Sequence, residues 1–142
     1  MTRTGQQIEN DVYNLLSGSQ LASTINGHIY KSGTRPENSL TEDAEVSFVE
    51  GQNGQIQSGT VAVNIYVPDV EQPENSGTFL RNVVRCEAIE AAAQQWCNSL
   101  ASSGTDYRFT LTQTISAFDI EDKPDINQHF ISIKLNFQLL TI

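Results

Sequence analysis

Gly27-His28-Ile29-Tyr30-Lys31-Ser32-Gly33-Thr34-Arg35-Pro36 opens the stretch that decides the fold, and Val63-Asn64-Ile65-Tyr66-Val67-Pro68-Asp69 closes it. Two runs of alternating apolar and polar residues lie in this stretch. Over residues 43–50, Ala44, Val46 and Phe48 share one side while Glu45 and Ser47 take the other, the period of a half-buried strand. Gly51-Gln52-Asn53-Gly54 turns the chain, and residues 55–67 alternate again with Val61, Val63, Ile65 and Val67 inward. The two runs therefore read as an antiparallel hairpin. The second is long for a strand, and Gly59 is where it should bulge or bend.

Helical spacing flanks this hairpin on both sides. Over residues 4–16, Ile8, Val12, Leu15 and Leu16 recur at intervals of three and four, with Gly18 as a stop. Residues 17–26 form a polar connector with Leu21 and Ile25, long enough for one more helical turn, and Ile29-Tyr30 makes at most a short strand. After the hairpin, residues 68–78 are acidic, rich in turn formers and apolar only at Val70, so a mobile loop is expected. Thr78 is a candidate N-cap for the longest helical pattern, residues 79–100. Its apolar series is Leu80, Val84, Ala88, Ala91, Ala92, Trp96 and Leu100, and Gly104 stops it. Residues 107–118 and 130–140 alternate as strands around an acidic, proline-containing turn, giving a second hairpin. The fold class is α+β: helix, a β-hairpin of two or three strands, long helix, β-hairpin, with helices packed on one face of an antiparallel or mixed sheet.

Size and charge narrow the function classes. The chain has 142 residues, 38% of them hydrophobic, which suits one domain over residues 1–142 with a core of its own. Its 17 acidic against 8 basic residues give a net charge of -9, which argues against gripping nucleic acid through phosphates but is compatible with letting DNA slide past. No stretch has the length of a membrane span or the pattern of a secretory leader, so the expected location is the cytosol. Cys86 and Cys97 both fall in the long helical pattern, roughly 16 Å apart at about 1.5 Å per residue, too far to pair within an intact helix. They read as small buried hydrophobes.

The candidate chemistry is sparse. His28 and His129 stand about a hundred residues apart with no zinc-ligand spacing around either, so no metal is expected. Gly51, Gly54 and Gly59 lack the Gly-Lys-Ser/Thr ending of a phosphate loop. Asp119, Glu121, Asp122 and Asp125 crowd one turn but miss the calcium-loop order of ligands. No serine or cysteine has a nucleophile-elbow context, so neither an enzyme nor a cofactor is expected. The Ser, Thr, Asn and Gln residues that alternate with apolar ones instead imply a sheet with one polar face, open to water or to neighbouring subunits.

The stretch from Gly27 to Ser39, with Glu42-Asp43 and Val63-Asn64-Ile65-Tyr66-Val67-Pro68-Asp69, resembles small proteins of prophages and mobile elements of Bacteroides-type bacteria. The order of elements is similar to that of phage tail terminator and neck proteins. That resemblance implies a virion assembly protein forming a ring, usually a hexamer, at the head-proximal end of the tail tube. Its partners would be copies of itself, the tail tube protein and head-completion proteins, with no specific nucleic-acid binding and no membrane. Its places would be the host cytoplasm during assembly and then the virion. A head-closure or connector protein of the same region, or a small-ligand binding domain, is the alternative. Lys31 and Arg35, in the loop over residues 31–38, are expected to pair with carboxylates of a neighbouring subunit. Asp69, Glu71 and Glu74 of the acidic segment are expected to face a ring lumen or a partner.

Overall fold

A computed structural model describes residues 2–120 and 127–141. Helix α1 (Gly5–Ser17) begins where Thr4 accepts a hydrogen bond from the Gln7 backbone N–H and the Gln7 side chain accepts one from the N–H of Thr4. This reciprocal cap satisfies donors that the first helical turn leaves without partners. Ile8, Val12 and Leu16 are its buried face. The connector supplies helix α2 (Gln20–Thr24), capped by Ser19 and burying Leu21.

Strand β1 (Ile29–Lys31) lies parallel to β2 (Asp43–Gln52), which turns back antiparallel into β3 (Ile56–Pro68). The first hairpin is as expected, with Val61, Val63, Ile65 and Val67 buried on one face. Its irregularity is not where Gly59 had suggested. The register slips on the partner strand between Phe48 and Glu50, so Val49 is the extra residue, while Gly59 stays in register opposite Gly51. Gly59 serves close approach instead: a Cβ there would lie 2.1 Å from the carbonyl oxygen of Glu50.

The acidic segment and the start of the long helix also depart from the reading of the sequence. Expected as a mobile loop, the segment contains strand β4 (Val70–Glu71), which pairs antiparallel with β5 (Phe79–Leu80) in a two-stranded ribbon. The Glu71 carboxylate accepts the backbone N–H groups of Asn75 and Gly77, both at positive φ, so one acidic side chain organises the turn of a segment expected to be mobile. Helix α3 (Val83–Ser99) therefore starts after the ribbon. Its cap is Asn82, not Thr78, and a short 3₁₀ turn (Leu100–Ser102) follows it. The buried face is Cys86, Ile89, Ala93 and Trp96, whereas Val84 is 76% exposed and Ala88 and Ala91 are also exposed. The series counted from Leu80 began on a strand residue and is exposed at Leu80, Val84, Ala88 and Ala91, whereas its Ala92 packs against the core and its Trp96 and Leu100 are buried.

Residues 107–118, read as one strand, form two: β6 (Tyr107–Leu111) and β7 (Ser116–Asp119). Both pair antiparallel with β8 (Gln128–Leu140), end to end along the same side of it. Strand β8 also pairs antiparallel with β3 along its whole length, which joins the two hairpins into one sheet of order β1-β2-β3-β8-β6 with β7 beside β8. The sheet is mixed. Ile131, Ile133, Leu135, Phe137 and Leu139 are buried on the face shared with Val61 to Val67. Ile8, Val12, Leu16, Leu21, Ile89 and Trp96 complete that core from the three helices. Both cysteines are free thiols, Cys86 buried and Cys97 half-buried.

Candidate functional site

Ionised side chains are buried at one end of this sheet, where β2 starts and β3 ends. Strand alternation puts Asp43 opposite Tyr66, on the face away from the helices, yet Asp43 is 0% exposed because the loop over residues 32–41 folds across it. Ser39 and Thr41 donate their hydroxyls to it, His28 donates its backbone N–H, and Arg35 Nε lies 3.0 Å from Oδ2. Burial by itself would push the Asp43 carboxyl up; the hydrogen bonds from Ser39, His28 and Thr41 and the Arg35 charge outweigh it and hold the group below the usual range. The Arg35 guanidinium also stacks over the Tyr66 ring at 4.1 Å and donates to Gln128 Oε1 at 3.3 Å.

The neighbouring residue points the other way and is equally enclosed. Glu42, with a side chain 4% exposed, accepts two 2.7 Å hydrogen bonds from Arg85 of α3. Arg85 also donates to the Thr24 carbonyl at the end of α2, and Asn26 closes the arrangement by exchanging backbone and side-chain hydrogen bonds with Glu42. The Glu42 hydrogen bonds push the Arg85 guanidinium up, making it a still firmer cation. One carboxylate thus ties α2 and α3 to the edge of the sheet. On the same face His129 lies between Asp69 and Asp119, 2.6 Å from each.

These pairings fix the surroundings of the residues expected at a subunit interface. Lys31 is exposed, its ammonium 5.2 Å from the Tyr13 ring centroid. Arg35 is committed to Asp43, Tyr66 and Gln128 inside its own chain. Asp69 is committed to His129, Glu71 to its own turn, and Glu74 is exposed in the ribbon. The fold brings Arg35 and Asp69 to one end of the sheet but on opposite faces, and it does not gather the five into one patch. Sequence reasoning missed Glu42, Asp43, Gln128 and Arg85. The signal was the pair Glu42-Asp43 at the very start of an apolar run, preceded by Ser39 and Thr41 as ready hydroxyl donors. His129 found its carboxylates from residues distant in sequence, so no spacing rule exposed them. Glu121, Asp122 and Asp125 lie outside the described residues, and among the described residues no group of three side chains could hold a metal ion.

Away from this end, three surfaces stand out. The sheet face opposite the helices carries Ser47, Thr60, Asn64, Ser132, Lys134 and Asn136, and a depression of about 330 Å³ lies on it between Glu50, Gln52, Ser58, Thr60, Asn136 and Gln138. Phe79, Leu80, Val83 and Val84 form an exposed apolar run at the root of the acidic ribbon. A cleft of about 470 Å³ beside α1 contains Arg3, Asp11 and Tyr107. There Arg3 Nη2 donates to Asp11 Oδ1 at 3.2 Å while its Nε sits 2.7 Å from Oδ2 as an ion pair, and the Tyr107 hydroxyl donates to the same carboxylate. Burial, then the Asp11 contact, pushes the Tyr107 phenol up. Burial pushes Cys97 up to about 11 and also raises Cys86, so neither is a reactive thiolate at neutral pH. Among the described residues no helix is long and apolar enough to cross a membrane.

Compared with protein-family models and with curated proteins, the chain matches neither.

Proposed function

We propose that this protein is a structural phage virion subunit, a tail terminator that assembles with copies of itself into a ring capping the tail tube and joins tail to head. The observation that carries the proposal is the one-sided layering of the molecule. Helices cover one face of the sheet, and the other presents a row of Ser, Thr and Asn side chains with no element over its middle among the described residues. A ring of identical subunits needs a heterologous surface that closes on itself, and a broad polar sheet face together with an exposed apolar run elsewhere on the subunit supplies both contact types. A net charge of -9 suits a bore through which DNA passes without being held.

The buried ionisable groups fit a non-enzymatic role, because Glu42, Asp43, Arg35 and Arg85 are engaged in holding the fold. Lys31 and Glu74, exposed on different elements, are the two of the five candidate interface residues with side chains best placed to meet another subunit. The partners proposed are the chain itself, probed as a hexamer, the tube protein and the head-completion proteins, in the host cytoplasm and then the virion. The Arg3, Asp11 and Tyr107 cleft favours the second reading, a small-ligand binding domain. Light scattering at rising concentration, with electron microscopy of tail tubes from the same gene cluster, tests the proposal. Rings, or density capping tube ends, are expected. A strict monomer that leaves tube ends bare overturns it.

A further inference from the structure

His129 makes its two contacts through different ring nitrogens, Nδ1 to Asp69 Oδ1 and Nε2 to Asp119 Oδ1, each at 2.6 Å. An ionised carboxylate only accepts hydrogen bonds, and a neutral imidazole carries a proton on one nitrogen alone. Both contacts are hydrogen bonds only when both nitrogens are protonated. In the neutral ring one nitrogen turns a lone pair towards a carboxylate oxygen at the same separation, which is repulsive. The three residues belong to different elements: Asp69 links β3 to β4, Asp119 ends β7, and His129 lies near the start of β8. From α3, Cys86 is close enough to Asp69 to feel its charge, with Arg81, Glu90 and Glu42 also around that thiol, while Arg85 is committed to Glu42.

We propose that His129 is a proton-operated clasp that holds the Asp119 side chain, at the end of β7, to the root of the acidic ribbon when charged and releases that side chain when neutral. The two arms are unequal. The Asp69 side chain is 9% exposed and loses much if its partner leaves, whereas Asp119 is 81% exposed and is hydrated either way. Asp69 therefore keeps the remaining Nδ1 proton, and Asp119 is the arm that lets go.

Nitrogen NMR of the histidine rings in the full chain, from pH 5 to pH 8, tests this, with His28 as the internal reference. Expected are two ring protons on His129 at pH 5 and Nδ1–H alone at pH 8, with the backbone amides of Ser116–Asp119 shifting in step with His129 and not with His28. Asp119→Asn, at a solvent-exposed position, should keep the circular dichroism of the native chain and abolish that step, since an amide can donate to the bare nitrogen. A ring that holds one proton at pH 5, a ring that holds both to pH 8, or amide shifts unchanged in Asp119→Asn overturns the clasp.

Discussion

The two ends of the sheet are fastened by different physics. Where β2 begins, the chain buries Glu42 and Asp43 and surrounds them with Arg85, Arg35 and donated hydrogen bonds. Where β2 and β3 meet at their hairpin, closure is mainly steric. Gly51 faces Gly59 at a separation no side chain would permit, the Phe48 and Phe137 rings pack at 6.2 Å, and buried Gln57 pins the backbone N–H and carbonyl of Arg3 with its amide. The first end is sensitive to the loss of one charged partner and to acid. The second is sensitive first to added volume, with the Glu9 carboxylate that accepts the Phe48 backbone N–H as an acidic contact. Burying a carboxylate is tolerable only with its partners present, whereas backbone contact asks only for the absence of a Cβ.

The largest effect should come from breaking the charged end. Arg85→Met leaves Glu42 enclosed without its cation and should cost about 3–5 kcal/mol in urea denaturation. Adding Glu42→Gln should recover much of that loss, and a single variant as stable as the parent would remove the distinction between the ends. Next is Gly59→Ala, whose methyl would meet backbone atoms that cannot swing aside. About 3 kcal/mol is expected, and the same at pH 7 and pH 4.5. A pH-dependent loss there would show the hairpin end coupled to the charged one.

Acid should separate the ends directly. The Asp43 carboxyl is held below its ordinary 3.8, so its contribution to stability is present above that value and is lost as pH falls through the lower folded value. Denaturation curves from pH 6 to pH 2 should steepen in this range for the parent and flatten for Asp43→Asn, while Gly59→Ala follows the parent's profile. A smaller change belongs to the cap of α1 beside the hairpin end, where Thr4→Ala should cost about 1 kcal/mol in the same assay. The smallest is Val84→Ser on the exposed face of α3, within about 0.5 kcal/mol of the parent. Ile89→Ser on the opposite face should be far more destabilising, and equal effects at the two would mean that the helical phase has been misassigned.

The hairpins were legible because strand alternation is local. Val61, Val63, Ile65 and Val67, like Ile131, Ile133 and Leu135, advertise a buried face in any conformation of period two, and each sits there. The face of α3 was not legible in the same way. Val84 and Cys86 compete for the inward position, and the choice rests on where the helix starts, which the ribbon of β4 and β5 decides. The candidate site was less visible still. Lys31 and Arg35 look alike as two cations in one loop, but Arg35 is the one that reaches a buried carboxylate.

The amino-acid sequence by itself determined the α+β class, the two hairpins, the first helix and the inward rows of the long strands, because periodicity and turn residues act within a few residues of one another. Only the tertiary structure decided that β3 and β8 join the hairpins, that the bulge falls at Val49 opposite a tightly packed Gly59, and that Glu42, Asp43 and His129 find Arg85, Arg35 and Asp69. Those outcomes depend on which surfaces meet and how much water they exclude, and burial of that kind, unlike a repeat of two or of three and four, is a property of the folded chain as a whole.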